Sequence, residues 1–160
     1  MKTIKAYLLI ITALTSLSLA ARAEVKVEMK AEKISIQQGK ETTSPATQAA
    51  PGDVVQYTAT YKNTDKKPAQ QVFATLPVPA ATEYVSGSAV PAGAMASTDG
   101  TKFSPIPLKR LVKNSAGKTV EQEIPFSEYR ALRWSLGDLA GGESRTVSAR
   151  VKLRTIPAAR

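Results

Sequence analysis

Alternation of apolar and polar residues with a period of two dominates the chain after residue 50. Within residues 54–62, the apolar members all fall on one side of an extended backbone: Val55, Tyr57, Ala59 and Tyr61. This pattern predicts a half-buried β-strand. Turn-forming residues bound the strand on both sides, with Pro-Gly-Asp at 51–53 and a turn beginning at Asn63, a residue type that tolerates a left-handed backbone.

The same alternation recurs towards both ends of the chain and in shorter segments between them. Candidate strands cover 25–30, 70–76, 83–86, 108–112, 119–124, 131–136 and 147–154. After the first 23 residues no stretch of a dozen carries a helical apolar stripe, and ten prolines interrupt the connections. The chain is therefore predicted to be an all-β, antiparallel β-sandwich of about seven to eight strands.

Three segments depart from this pattern. Residues 37–50 and 90–100 are polar and without a period, so both are predicted to be flexible loops. Residues 90–132 as a whole contain prolines and enough apolar side chains to dock on the sandwich. These side chains are Phe103, Ile106, Leu108, Leu111 and Phe126. We expect a packed insertion that forms its own strand or hairpin.

The first 23 residues have the composition of a signal peptide. Two lysines open the segment, residues 6–21 form an uncharged and mostly apolar run, and Ala-Arg-Ala follows at 21–23. An uncleaved membrane anchor is the alternative, but the run is shorter than the roughly 18 to 20 residues that a spanning helix needs. Cleavage is predicted between Ala23 and Glu24, which places the protein in the periplasm or outside the cell.

The expected mature chain, residues 24–160, suits a single domain. Its length is 160 − 23 = 137 residues, and its net charge is (22 − 3) − 13 = +6 instead of the precursor's +9. No second apolar run follows, so no transmembrane segment is expected in it. Cysteine is absent, which leaves the core alone to stabilise the fold and excludes a thioether lipid anchor.

Two segments carry a resemblance to a known family. The first, residues 51–89, reads PGDVVQYTATYKNTDKKPAQQVFATLPVPAATEYVSGSA, and it resembles the opening of the conserved-repeat domain of bacterial cell-surface and exported proteins. The second, residues 133–153, reads RWSLGDLAGGESRTVSARVKL and is similar to that domain's closing pattern. The resemblance implies an immunoglobulin-like scaffold at the cell envelope without enzymatic activity. Here the domain occurs once instead of in tandem.

The residues available for chemistry are few. Without histidine or cysteine, the chain cannot form Ser-His-Asp triads, Cys-His dyads or the usual zinc sites. Asp138 and Glu143 flank a tight turn, where a glycosidase cleft is not expected. Ser115 and Lys118 match an S-x-x-K motif but lack its partner motifs. No catalytic, cofactor-binding or metal-binding residue is therefore predicted.

Basic residues are the surface feature that points to a partner. Two groups stand out: Lys109, Arg110 and Lys113 in the middle section, and Arg150, Lys152 and Arg154 on the outward face of the last strand. Such groups can bind the phosphates of lipid headgroups or an anionic polysaccharide. Alternatively, these cations protect an edge strand from aggregation. Binding of intracellular nucleic acid is not expected for an exported chain.

Two functions remain as expectations. The first is a non-enzymatic module of the bacterial envelope, with a structural, adhesive or protein-interaction role and an envelope or surface protein as its partner. The second is a polyanion- or carbohydrate-binding domain that uses the basic strand face.

Export can be tested directly. When the full chain is expressed with its leader, N-terminal sequencing of the exported protein should begin at Glu24, because signal peptidase cleaves after small residues at −3 and −1. Intact mass should correspond to the 137-residue product of removing residues 1–23. An exported protein that retained residues 1–23 would contradict this prediction.

Overall fold

The computed structural model describes residues 23–155, so the predicted signal peptide lies outside the described residues except for Ala23. Eleven strands form this part of the chain: β1 (Val25–Gln37), β2 (Lys40–Pro45), β3 (Val54–Asn63), β4 (Ala69–Pro77), β5 (Thr82–Tyr84), β6 (Met95–Ser97), β7 (Ser104–Pro105), β8 (Lys109–Lys113), β9 (Thr119–Glu123), β10 (Ala131–Leu139) and β11 (Ser144–Leu153). Single 3₁₀ turns occur at Ala46–Gln48 and Phe126–Glu128. No helix within residues 23–155 has the length and apolar character needed to cross a membrane.

The strands form two facing sheets and a separate hairpin. The larger sheet has the order β2-β1-β3-β11-β5, and the smaller sheet has the order β4-β10-β6-β7. β8 and β9 form a two-stranded sheet of their own, and every strand pair is antiparallel. The all-β prediction is confirmed, and the two sheets are consistent with a β-sandwich.

Alternating residues of the central strands build the core between the sheets. β3 and β11 contribute Val55, Ala59, Val147, Ala149 and Val151 from the larger sheet, and β4 and β10 contribute Ala74, Leu76, Leu132, Trp134 and Leu136 from the smaller one. The indole N–H of Trp134 donates to the carbonyl oxygen of Pro91 at 2.7 Å, so its polar atom is satisfied although the ring is buried. Trp134 is therefore a core residue.

All eight predicted strands are present, and three further strands were not predicted. β2 lies in the segment 37–50 that we expected to be a flexible loop, and β6 lies in the expected loop 90–100. β2 forms because Gln38 and Gly39, both with positive φ, turn the chain back onto β1, where backbone hydrogen bonds replace apolar burial. β6 forms because it pairs with β10, and the two-residue β7 forms because it pairs with β6.

The middle section forms the hairpin β8–β9, which is anchored at its base. The amide of Ile124 donates to the carbonyl oxygen of Leu108, whose side chain is buried in the core. The amide of Leu108 in turn donates to the Tyr129 hydroxyl at 2.8 Å. Beyond this base the strands are mostly exposed, and Leu111, one of the expected docking residues, is 72% exposed.

A buried asparagine joins two connections between the sheets, the one from β3 to β4 and the one from β10 to β11. Asn63 is fully buried, and its side-chain amide donates to the carbonyl oxygens of Lys67, Leu139 and Ala140 at 2.7 to 3.1 Å. Its side-chain oxygen accepts from the amide of Asp65. Asn63 is not among the residues with positive φ, so the expected left-handed turn is wrong, and the residue acts through its side chain.

Replacement of this side chain is expected to destabilise the fold. Asn63→Ala removes its hydrogen bonds to three carbonyl groups and one amide, and of these carbonyl groups that of Ala140 keeps the Glu143 amide, so we expect a cost of about 3 kcal/mol and about 10 °C in Tm. Thermal unfolding followed by circular dichroism measures the change. Asn114→Ala is the matched control, since the Asn114 side chain caps an exposed turn. Equal losses of stability in both variants would contradict this role for Asn63.

Candidate binding surfaces

Two of the predicted basic residues, Arg150 and Lys152, lie on the outer face of β11 in the larger sheet, and Arg154 directly follows this strand. The Arg150 guanidinium binds both carboxylate oxygens of Glu41 at 2.7 and 2.9 Å, and it also donates to the Gln56 side chain. Arg154 donates to the carbonyl oxygen of Ala80, and together with Lys152 it lines a shallow cavity of about 370 Å³. Arg150 therefore links β11 to β3 and β2.

The other basic group lies on the β8–β9 hairpin. Lys109 pairs with Glu121 and Arg110 with Glu128, each at 2.9 Å, while Lys113 ends β8. The six predicted residues are thus divided between two sheets, and three of them are paired with carboxylates. In addition, β11 lies between β3 and β5, so the alternative that its cations protect an edge strand is wrong.

The carboxylates considered for catalysis stabilise turns and a strand end. Glu143 accepts from the amide of Ala140 and from the Arg145 guanidinium, and these bonds lower the pKa of its carboxyl group. Asp138 accepts from the amide of Gln71. Within residues 23–155, no group of three or more Asp, Glu, His or Cys residues could hold a metal ion.

A cavity of about 580 Å³ opens between the smaller sheet and the base of the hairpin. Its lining includes Tyr84, Met95, Ile106, Pro107, Glu123 and Phe126. Tyr84 is 2% exposed and stacks with Tyr129, which Phe126 meets edge-on. Glu123 is the one charged residue among the described lining residues, so the cavity is mainly an apolar recess.

The first half of β1 is an unpaired edge of the larger sheet. β1 pairs with β3 over residues 25–34 but with β2 only over residues 32–37, so no strand within residues 23–155 neighbours residues 25–31 on the side away from β3. We call residues 25–31 the open edge of β1. A strand of this length with free main-chain groups is suited to pairing with another strand.

The direction of the free main-chain groups follows from one hydrogen bond. The carbonyl oxygen of Glu24 accepts from the amide of Thr64, so the main-chain groups of Glu24 point towards the end of β3. Main-chain groups alternate along a strand, and even-numbered residues of the open edge therefore face β3. The residues that turn their N–H and C=O outward are Val25, Val27, Met29 and Ala31.

These same residues direct their side chains to the inner face of the sheet. Val27 and Met29 are 46% and 51% exposed, whereas Tyr61 and Ala59, their direct neighbours on β3, are 8% and 0% exposed. The difference arises because β4 packs over β3 and does not extend over β1. The open edge therefore combines unpaired main-chain groups with an uncovered apolar strip.

The outer face of the open edge carries alternating charges. Lys26 pairs with Glu28 at 2.9 Å and Lys30 with Glu32 at 2.8 Å. The hydrogen bond from Lys26, together with its charge, lowers the pKa of Glu28, and the same contact raises the pKa of Lys26. All three residues of the open edge on this face, Lys26, Glu28 and Lys30, are exposed.

In contrast, the outer edge of β4 is closed. The Tyr61 hydroxyl accepts from the amide of Thr75 at 2.9 Å and donates to its carbonyl oxygen at 3.2 Å. The main-chain amide and carbonyl groups of Thr75 therefore both point away from β10. Nearby, the amide of Gln71 is occupied by Asp138, and Pro77 has no amide hydrogen. A further strand meets few free donors at this edge.

Sequence reasoning missed the open edge, although it identified the strand. Residues 25–30 were predicted to have one wet face, and in the structure Val27 and Met29 on the other face are also exposed. The segment 37–50 could have indicated the open edge, because the strand that it forms is too short to pair with all of β1. Comparison of the chain with protein-family models, curated proteins and solved structures found no match to any of them.

The closure of the β4 edge predicts a specific effect of Tyr61→Phe. The ring is kept while both hydrogen bonds to Thr75 are lost, so we expect a loss of about 1 kcal/mol and a new concentration-dependent self-association. Light scattering and thermal unfolding measure the two effects. Tyr57→Phe is the matched control, since the Tyr57 hydroxyl has no hydrogen-bond partner among the described residues. Unchanged association of Tyr61→Phe would contradict the closure.

Proposed function

We propose that this protein is a non-enzymatic, exported interaction module of the bacterial envelope, and that it binds a partner protein by adding a strand to the open edge of β1. The observation that carries the proposal is the coincidence of free main-chain groups at Val25, Val27 and Met29 with exposed apolar side chains at Val27 and Met29. Addition of a strand provides hydrogen-bond partners for these main-chain groups and covers the apolar side chains in one step.

The energetics favour a strand over a loop or a small ligand. Each main-chain hydrogen bond formed contributes about 0.5 to 1.5 kcal/mol, and covering Val27 and Met29 adds apolar burial. The partner strand requires apolar residues at alternate positions, to continue the inner face. On the outer face it requires charges opposite to those of Lys26, Glu28 and Lys30.

The leader-like segment and the family resemblance support the proposal. The leader-like residues 1–23 support secretion to the periplasm or the cell exterior. The resemblance over residues 51–89 and 133–153 supports an immunoglobulin-like domain related to the conserved-repeat family. A lack of histidine and cysteine removes the commonest catalytic side chains, which supports binding as the function.

The test is a crosslinking pull-down from the envelope fraction with the exported protein and its Val27→Pro variant. Proline at residue 27 removes an outward amide and no β1–β3 hydrogen bond, so the fold is retained and strand addition is blocked. We expect a protein partner at both low and high salt, and its loss in the variant. Met29→Lys provides a second variant that leaves the backbone intact and charges the inner face.

Polyanion binding is the alternative, and the same experiment discriminates it. A triple variant with Arg150, Lys152 and Arg154 changed to Ser removes the basic strand face and leaves the open edge unchanged. The proposal predicts that this variant retains the protein partner. Capture of lipid or polysaccharide only at low salt, lost in the triple variant and kept in Val27→Pro, would replace it with polyanion binding.

A further inference from the structure

We propose that the open edge of β1 pairs with the same edge of a second copy of this chain, forming a two-fold symmetric dimer with one continuous sheet of ten strands. This inference rests on the open edge that carries the proposed function and identifies a partner strand for it. The larger sheet of each copy contributes five strands, and β1 of each copy lies at the junction.

The sequence of the open edge is complementary to itself when reversed. Residues 24–30 read EVKVEMK. In an antiparallel pair centred on Val27, Glu24 faces Lys30 of the second copy and Lys26 faces its Glu28. On the inner face, Val25 faces Met29 and Val27 faces its own counterpart. Every charged position therefore meets the opposite charge, and every apolar position meets an apolar side chain.

The two next registers towards β2 are excluded by charge or by space. A pair centred on Glu28 would place Lys26 opposite Lys30 and Glu28 opposite itself, and like charges directly opposite are destabilising. A pair centred on Met29 would bring the second copy to Glu32 and Lys33, where β2 is already paired. The pair centred on Val27 extends from residue 23 to residue 31 and ends before Glu32, where the pairing with β2 begins.

The geometry of the main chain matches this register. Val25, Val27 and Met29 turn their N–H and C=O outward, and opposite residues of this kind exchange two hydrogen bonds in an antiparallel ladder. The three pairs that they form provide about six hydrogen bonds. Each expected mature copy carries a net charge of +6, so the two copies repel at long range and association is stronger at physiological ionic strength than at low salt.

Cysteine scanning tests the register, since the chain contains no cysteine of its own. In a pair centred on Val27, residue 27 is the position that faces itself, with Cα atoms about 5.5 Å apart, a distance that a disulfide spans. Val27→Cys in the exported protein should therefore give a disulfide-linked dimer under mild oxidation. Met29→Cys, which faces Val25, should remain monomeric on a non-reducing gel.

Charge exchange provides a second test that leaves the inner face unchanged. Sedimentation equilibrium of the exported protein should show a reversible dimer, and Glu28→Lys should weaken it by about tenfold or more. The double variant Lys26→Glu, Glu28→Lys restores opposite charges and should recover the dimer. Glu83→Lys, which makes the same charge change on β5 at the other edge of the sheet, should leave dimerisation unaffected.

The two proposals fail separately. A protein that is monomeric up to millimolar concentration, or a dimer that Val27→Pro and Glu28→Lys leave unchanged, overturns the self-pairing. If Val27→Pro abolishes capture of an envelope protein in that case, the proposed function stands without the dimer. If the dimer forms as described but Val27→Pro still captures that envelope protein, the self-pairing stands and strand addition from another protein is rejected.

Discussion

The hydrogen bonds of the Asn63 side chain fix the relation between the two sheets. One connection takes the chain from β3 in the larger sheet to β4 in the smaller sheet, and another takes it from β10 back to β11, and both connections lie at the same end of the molecule. Because one buried amide binds carbonyl groups in both connections, β3 and β11 are held at a defined position relative to β4 and β10. The close packing around Trp134 depends on this alignment.

The same alignment determines which surfaces are available for binding. With β4 held above β3, the Tyr61 hydroxyl reaches the backbone of Thr75 and closes the edge of the smaller sheet. The larger sheet is wider, and Val27 and Met29 lie beyond the reach of β4. An open edge and a closed edge are therefore two results of one offset between the sheets, which the Asn63 contacts maintain.

Local patterns in the sequence predicted the strands that bury one face, because alternation is visible within a few residues. The strand β2 could not be predicted in this way, since it has no apolar face and forms through backbone pairing with β1. Sequence reasoning also identified Arg150 as an outward-facing basic residue. It could not predict the contact with Glu41, because that residue lies 109 positions away in the sequence. The open edge depends on strand order and strand length together, and neither is encoded in a short window.

The Tyr61 hydroxyl removes the edge of β4 as a site at which an assembly can grow. If the open edge of each copy is occupied by a partner, further growth requires a second unpaired edge, and β4 could provide one if its backbone were free. A single oxygen atom, which binds both the amide and the carbonyl group of Thr75, therefore opposes fibre growth through β4. Protection of this one edge, the edge of β4, is thus a matter of one side chain on a neighbouring strand.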